Sequence, residues 1–233
     1  AENILHWIPK NTHQYNKLIT PEELSMTFKN NNWPKELPNK IPIFPLTGVI
    51  MFPNTYLPLN IFEDRYIKMF NKALASEHKL IGMIQPIFSN KKNNDISFYD
   101  IGCAGKIINF EETKDNRYLI TLEGLSRFNL ISEKTNEDNF KIAEVEWGNF
   151  DRDREKEINI SHGNLKEVIK RYFHLKKIRV NMDSIDTFNE YNLADQLAMI
   201  CPLSSEEKQL LLETVSLARR NKLLFSMIES SIS

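Results

Sequence analysis

The apolar residues of this 233-residue chain change their spacing once, near residue 150, and that change constrains the fold more than any other feature. Before it, short runs rich in Ile, Val, Phe, Tyr and Leu are separated by polar turns, which is typical of strands. After it, apolar residues recur every three or four positions, which is typical of amphipathic helices. This order predicts an α+β protein in which a β-rich half precedes a helical half.

The first half predicts a small, antiparallel, barrel-like sheet. Its candidate strands lie at 41–46, 49–53, 56–61, 80–85, 99–110, 117–123, 127–132 and 140–147, with one helix at 63–75. Proline is frequent in the first three candidates, and each proline removes a hydrogen-bond donor from the strand ladder. We therefore expect these three strands at a sheet edge or at the rim of a barrel.

The helical half predicts at least three helices. The first two are expected at 163–177 and 186–199, and Pro202 ends the second because proline disfavours a helical conformation in the residue before it. Another helix is expected to begin after Ser204, since Ser204 and Glu207 have the spacing of a capping box.

Residues 1–40 predict an N-terminal arm outside both halves. Prolines and an asparagine run interrupt this segment, little periodicity is visible, and one short helix is expected at 21–29. The charged run that begins at residue 151 predicts a solvated connector. The predicted domain plan is therefore an arm at 1–40, a β-rich subdomain at 41–150 and a helical subdomain at 151–233.

Composition excludes several classes of protein. Lys and Arg total 30 against 31 Asp and Glu, so the net charge of −1 gives no overall reason to bind nucleic acid or an anionic membrane. No apolar run is long enough to cross a membrane, and two cysteines are too few for a disulfide framework. Because no secretory signal opens the chain, we expect a cytoplasmic (bacterial) protein; the mitochondrial matrix stays open if a presequence was removed.

No catalytic, cofactor or metal constellation is visible. The segment 102–106 lacks both the glycine spacing and the following hydroxyl residue of a phosphate loop, the five histidines are scattered, and no serine-nucleophile motif occurs. Glu111 and Glu112 are neighbours on a predicted strand, so their carboxylates point to opposite faces. Cys103 and Cys201 are best interpreted as small buried apolar residues. We therefore expect a non-enzymatic protein without a cofactor, and an enzyme with an unrecognised site is the alternative.

One helix is strongly basic. Its basic residues are Lys166, Lys170, Arg171, Lys176 and Lys177, with Arg179 beyond them. Such residues are able to contact the phosphates of a nucleic acid. The favoured interpretation is a solvated helix face whose positive charge lies toward the C-terminal end, where the helix dipole stabilises it.

Two consecutive segments carry a resemblance to a known family. The residues 41–53 and 57–66 resemble the opening of the substrate-binding N-terminal domain of Lon proteases, which has a PLFPLPGVVLFPG-like run followed by LPLHIFEPRY. The chain departs from that pattern at Thr47, Asn60 and Asp64.

Later parts of the chain extend the resemblance to about residues 41–230. The stretches that look like the stand-alone, alphaproteobacterial members of the family are 82–86, 102–107, 117–124, 197–203 and 207–213. The resemblance implies a small antiparallel β pseudo-barrel of the PUA-like type followed by a C-terminal helical bundle. It also implies recognition of polypeptides.

The resemblance also implies a function without catalysis. Full-length Lon continues into an ATPase module and a Ser–Lys protease domain, and neither fits in 233 residues. We therefore expect a non-catalytic protein that binds unfolded or extended polypeptides, as an adaptor or a chaperone-like capture module. The alternative is a structural subunit docked in a larger protein or ribonucleoprotein assembly through its N-terminal arm.

The predicted polypeptide-binding surface is the loop around residues 60–66. Its candidate residues are Asn60, Phe62, Glu63, Arg65 and Tyr66. For Phe62 and Tyr66, a position in the core is the favoured interpretation. An extended peptide would either add to an edge strand or lie in an apolar groove, since both are common modes of peptide recognition.

Overall fold

The structure is a computed structural model that describes residues 36–87, 96–154, 165–177 and 193–232. The chain divides into a unit Ala1–Pro38 and a unit Asn39–Ser233, and every element described below belongs to the second unit. The helix predicted at 21–29 and nearly all of the predicted arm lie outside the described residues.

The described residues form an α+β fold, as predicted. The strands are β1 (Lys40–Pro45), β2 (Tyr56–Ile61), β3 (Leu80–Ile84), β4 (Pro86–Ile87), β5 (Ser97–Phe98), β6 (Ile101–Glu112), β7 (Tyr118–Thr135) and β8 (Lys141–Glu146). The helices are α1 (Asp64–Ala75), α2 (Leu165–Leu175), α3 (Leu193–Ile200), α4 (Ser205–Glu213) and α5 (Leu217–Ile232), with a 3-10 segment at Gly148–Arg154.

The six longer strands form one sheet that closes on itself. Their order is β2-β7-β6-β3-β1-β8, and β8 also pairs with β7, so five strands make a ring to which β2 is attached. The 18-residue β7 closes the ring, because its first part pairs with β2 and β6 while Asn129–Thr135 pairs with β8. Among these strands only β1 and β3 pair in parallel. The predicted small β pseudo-barrel is confirmed.

The strands predicted at 117–123 and 127–132 are one continuous strand. A register shift against β6 leaves Leu125 as an extra residue in β7, which is a β-bulge that bends the strand without ending it. At the bulge, a Cβ on Gly124 would lie 1.9 Å from the carbonyl oxygen of Phe52. Only glycine allows the chain before β2 to approach this closely.

The strand predicted at 49–53 is wrong. This segment is a loop that inserts the buried side chains of Ile50, Met51 and Phe52 into the core. The two residues that follow this segment pair locally with β7: Gly124 N donates to Thr55 O, and Asn54 N donates to Gly124 O, both at 2.8 Å. A short apolar run does not distinguish a strand from a loop whose side chains fill a core.

The prolines of β1 and β2 lie where the ladder is incomplete. Pro58 is on β2, which pairs only with β7 among the described strands and is therefore an edge, as predicted. The same expectation is wrong for β1, which has neighbours on both sides. Pro42 pairs only across to β8 and Pro45 only across to β3, so each proline leaves one side of the strand without a partner residue.

The helices begin and end close to the predicted positions. Helix α2 occupies Leu165–Leu175, and α3 occupies Leu193–Ile200; the earlier part of the helix predicted at 186–199 lies outside the described residues. The predicted capping box is confirmed: Glu207 N donates to Ser204 Oγ at 3.1 Å, and Ser204 N donates to Glu207 Oε2 at 2.7 Å.

One apolar core connects the barrel to the helices. It includes Phe52 and Phe70 from the β-rich half, and Phe173, Leu197 and Leu224 from the helices, all of them fully buried. The division of this unit into subdomains at residue 150 stays a prediction. The core holds α1 beside β1 and β3, and this packing fixes the start of α1 next to the end of β2.

Candidate functional site

Three strands end or begin together at one end of the sheet. Ile61 at the end of β2 pairs with Tyr118 at the start of β7, which pairs with Glu112 at the end of β6. One residue further into the sheet, Leu119 lies opposite both Asn60 and Glu111. Because successive side chains of a strand alternate between faces, these two rows project to opposite faces of the sheet.

Large aromatic side chains are exposed at this end. The Phe62 side chain is 58% exposed and that of Phe110 is 46% exposed, although both are among the residue types most often buried. The Arg117 guanidinium lies 5.8 Å from the centroid of the Phe62 ring. We call Phe62, Phe110, Arg117 and Tyr118 the rim surface.

Two rings of the rim surface rest on the core. The buried Phe70 of α1 lies under them, with its ring centroid 5.5 Å from that of Phe110 and 4.8 Å from that of Tyr118. Aromatic pairs at these separations stabilise each other beyond the area that they bury. The core therefore holds the Phe110 and Tyr118 rings in place.

The structure distributes the predicted site residues over different environments. Phe62, Glu63 and Arg65 are exposed, and Tyr66 is buried, so the core interpretation is wrong for Phe62 and holds for Tyr66. Asn60 is half-buried on β2, and its Oδ1 is buried without a hydrogen-bond partner among the described residues.

Glu63 and Arg65 engage each other. The Arg65 Nε donates to Glu63 Oε2 at 3.0 Å, and the Arg65 guanidinium stacks 4.5 Å from the Tyr66 ring centroid. Burial raises the pKa of the Tyr66 hydroxyl. The two opposite charges are thus already partnered at the start of α1.

Sequence reasoning missed Phe110, Arg117 and Tyr118. They lie on the hairpin between β6 and β7, far in sequence from 60–66, and only the strand register brings them to Phe62. A usable signal was present, because Phe110 precedes the acidic pair at Glu111 and Glu112 directly before a polar turn, where a large aromatic has little to pack against.

The free edge of β2 is poorly suited to pairing with another strand. Pro58 lies in the middle of this strand, is exposed and has no N–H to donate. Proline on an edge strand is a common device against edge-to-edge pairing.

A polar pair lies further along the same three strands. The Tyr56 hydroxyl donates to Glu123 Oε1 at 3.4 Å, and Glu123 pairs across to Lys106 on its other side. Burial raises the pKa of the Glu123 carboxyl, while the Tyr56 hydrogen bond and the Lys106 charge oppose this shift. Burial, aided by the Glu123 charge, also raises the pKa of Tyr56.

A buried arginine joins the barrel to the helices. All five N–H groups of the Arg127 guanidinium donate: two to the Asp153 carboxylate and three to the carbonyl oxygens of Leu212, Thr214 and Val215. Asp153 belongs to the run predicted as a solvated connector, and its side chain is only 6% exposed. That part of the prediction is wrong, because Asp153 has a buried partner far away in sequence.

A second buried arginine binds the same turn. Arg220 Nε donates to Asp195 Oδ1 at 2.7 Å, and Arg220 Nη1 donates to the carbonyls of Thr214 and Val215. Both cations therefore lie at the C-terminal end of α4, where unpaired carbonyls and the helix dipole favour positive charge. These contacts hold the fold together and do not form a reactive site.

The described residues offer no metal or thiol chemistry. No group of three or more His, Cys, Asp and Glu residues that would hold a metal ion occurs among them. Cys103 and Cys201 are free and buried, as expected, and burial raises the pKa of both thiols, that of Cys201 to about 12. A thiol with a raised pKa and no access to solvent is a poor nucleophile.

The basic side chains of α2 and of the turn after it differ in their exposure to solvent. Arg171, Lys176 and Lys177 are exposed, whereas Lys166 and Lys170 are half-buried. Contact with phosphates through these side chains stays a prediction.

No helix within the described part of the chain has the length and apolar character needed to cross a membrane.

Comparison with protein families gives a match across most of the chain. The family model of the ATP-dependent protease La (Lon) substrate-binding domain matches residues 40–230. The chain belongs to the Lon substrate-binding domain family. The matched region begins with β1, includes the rim surface and the first four helices, and ends within α5.

Relatives of this Lon-family chain are longer proteins. It is 27% identical over 197 residues to Lon protease 1 of Syntrophobacter fumaroxidans. This alignment covers 82% of the chain and 24% of that protein. The chain is 29% identical over 212 residues to Lon protease of Flavobacterium johnsoniae, covering 87% and 25% respectively. The chain thus spans about a quarter of the length of these curated relatives.

Two solved structures share the fold of this Lon-family chain. The Lon N-terminal domain protein from Xanthomonas campestris aligns with a TM-score of 0.56 at 21% identity, covering 81% of this chain and 98% of that one. The N-terminal domain of Mycobacterium avium complex Lon protease aligns with a TM-score of 0.58 at 16% identity, covering 82% and 98%.

Proposed function

We propose that this Lon-family chain binds extended, apolar-rich polypeptide segments through the rim surface, in an adaptor or chaperone-like role, and that it catalyses neither ATP hydrolysis nor peptide cleavage. The observation that carries the proposal is the exposure of Phe62 and Phe110 at one end of the sheet, where the buried Phe70 supports the Phe110 ring. Exposed apolar surface of this kind marks an interaction site in a folded protein. The family match supports a polypeptide as the ligand.

The residues of the rim surface suit an unfolded polypeptide as the ligand. Phe62 and Phe110 offer aromatic anchors, and Arg117 offers a planar cation. Aromatic and arginine side chains contribute most to binding in protein interfaces. Because Pro58 interrupts the edge of β2, recognition relies on side chains of the ligand more than on its backbone.

A binding experiment tests this proposal. Fluorescence anisotropy would follow a labelled, permanently unfolded protein, such as reduced and carboxymethylated α-lactalbumin, titrated with the full 233-residue chain. Phe62→Ser combined with Phe110→Ser removes both anchors. Anchors of this type contribute more than about 1 kcal/mol each, so we expect binding to weaken about tenfold or more.

Ile131 supplies a matched control. Its side chain is 59% exposed, close to the value for Phe62, and it lies near the other end of β7. Ile131→Ser should leave the affinity unchanged. Equal loss of binding in the control and in the double variant, or no binding by the unaltered chain, would contradict the proposal. Phe62→Ser alone checks the result, since Phe62 contacts the core less than Phe110 does.

The docked-subunit alternative predicts a different result. It depends on residues 1–40, which lie almost entirely outside the described part of the chain. A deletion of residues 1–38 tests it, because this deletion spares Asn39, whose carbonyl accepts from Val145 N. Loss of one stoichiometric partner on deletion, without binding of unfolded protein by the unaltered chain, would support the alternative. Cytoplasmic residence stays part of the proposal.

A further inference from the structure

Two carboxylates at the end of β6 stand out from the other charges near the rim surface. Glu111 and Glu112 are exposed, and neither forms an ion pair or hydrogen bond with the side chains of the described residues. The neighbouring acids are already paired: Glu63 with Arg65, Asp64 with Lys68, and Asp115 with Arg117. Lys114 lies exposed on the turn after β6.

The strand register separates the two glutamates by face. Glu112 lies opposite Tyr118 and two residues beyond Phe110, so its carboxylate projects on the face that carries the Phe110 and Tyr118 rings. Glu111 lies opposite Leu119 and projects on the other face. Two residues along a strand span about 7 Å, so the backbone positions of Phe110 and Glu112 are about 7 Å apart.

We propose that Glu112 is a specificity-determining residue of the rim surface, and that the occupant is an extended segment in which a Lys or Arg lies about two residues from a large apolar residue. This inference rests on the proposed function and adds the charge of its ligand. The apolar side chain of the ligand packs on the exposed Phe110 ring, while the cation of the ligand reaches Glu112. Arg117 does not compete for this carboxylate, because Asp115 and the Phe62 ring already engage its guanidinium.

The test uses two labelled, unstructured peptides that share the same Phe and Leu residues. One carries Lys two residues from each apolar residue, and the other carries Glu at the same positions. Anisotropy titrations with the full chain compare them at low salt. An exposed pair contributes up to about 1 kcal/mol, so we expect the Lys peptide to bind about fivefold more tightly. The preference should narrow in about 0.5 M salt because exposed charges are screened.

The two glutamates provide matched variants. Glu112→Lys and Glu111→Lys make the same change in net charge at adjacent positions, and both side chains are exposed, so neither should affect folding. We expect Glu112→Lys to abolish or reverse the preference for the Lys peptide, and Glu111→Lys to retain most of it.

Other results would overturn the inference at different levels. If the unaltered chain binds both peptides alike, or if both variants lose the preference equally, Glu112 does not determine specificity, although the rim surface still binds polypeptides. If neither peptide nor the unfolded protein binds, the proposed function fails and this inference fails with it. The two failures are therefore distinguishable in one set of titrations.

Discussion

Replacing Arg127 with methionine tests the role of the buried arginine that joins β7 to the helices. The side chain is 1% exposed, donates five hydrogen bonds, and forms an ion pair with Asp153, which is 6% exposed. Methionine keeps much of the volume but leaves the Asp153 carboxylate buried without its cation. Three carbonyl oxygens at the end of α4 also lose a donor.

The expected loss follows from the orphaned charge. Removing one partner of a buried ion pair costs about 3–5 kcal/mol, and the lost carbonyl contacts belong to the same network, so they do not add independently. For a domain of this size, that loss corresponds to a fall in melting temperature of about 6–20 °C. The remaining bond from Arg127 N to Asp153 Oδ2, at 2.9 Å, keeps the carboxylate in place.

Urea unfolding followed by circular dichroism measures the effect. The free energy of unfolding should fall by about 3–5 kcal/mol in Arg127→Met, and by less in Arg127→Met combined with Asp153→Asn, since the double variant buries no unpaired charge. Arg117→Met is the matched control. Its partner Asp115 is 60% exposed, so the control should lose less than about 1 kcal/mol.

Two results would refute the reasoning. A loss below about 1 kcal/mol in Arg127→Met would show that the buried pair contributes no more than an exposed one. A double variant as unstable as the single one would show that the orphaned carboxylate is not the source of the loss.

Two further predictions concern a single residue each. Burial raises the pKa of Glu123 above its usual value of 4.5, so the folded protein binds the carboxyl proton more tightly than the unfolded chain does. The free energy of unfolding therefore falls as the pH rises from about 4.5 to the raised pKa. Glu123→Gln should therefore gain stability relative to the unaltered chain between about pH 4.5 and pH 7, measured by urea unfolding at each pH; a constant difference would contradict the burial argument. Ser204→Ala removes the acceptor for Glu207 N and should cost about 1 kcal/mol in thermal unfolding, whereas the exposed Ser226→Ala should cost less. Equal losses would contradict the capping role.

Local patterns predicted the elements that depend on neighbouring residues. The capping box at Ser204 and the first helix were placed correctly because both depend on residues within a few positions of each other. The strand at 49–53 and the break within β7 were wrong for the opposite reason. In both places the backbone of Gly124 meets the chain near Phe52, and a contact between such distant residues has no local signature.

The candidate site divides in the same way. The Lon-like motif drew attention to Asn60, Phe62 and the start of α1, and Phe62 is exposed there. The motif did not reveal Phe110 or Tyr118, which reach the same end of the sheet through strand pairing. The motif also did not distinguish Glu111 from Glu112, since only the register shows that Glu112 shares a face of the sheet with Phe110 and Tyr118.

The sequence by itself determined the α+β class, the order of the two halves, the family and most helix boundaries, because periodicity, capping and motif are properties of short segments. Tertiary structure alone decided how β7 closes the barrel, which carboxylates remain without a partner, and how Arg127 finds Asp153. Each of these depends on register and on charges that meet across long stretches of chain. The physical reason is that burial and pairing are set by neighbours in space, and those neighbours exist only once the chain has folded.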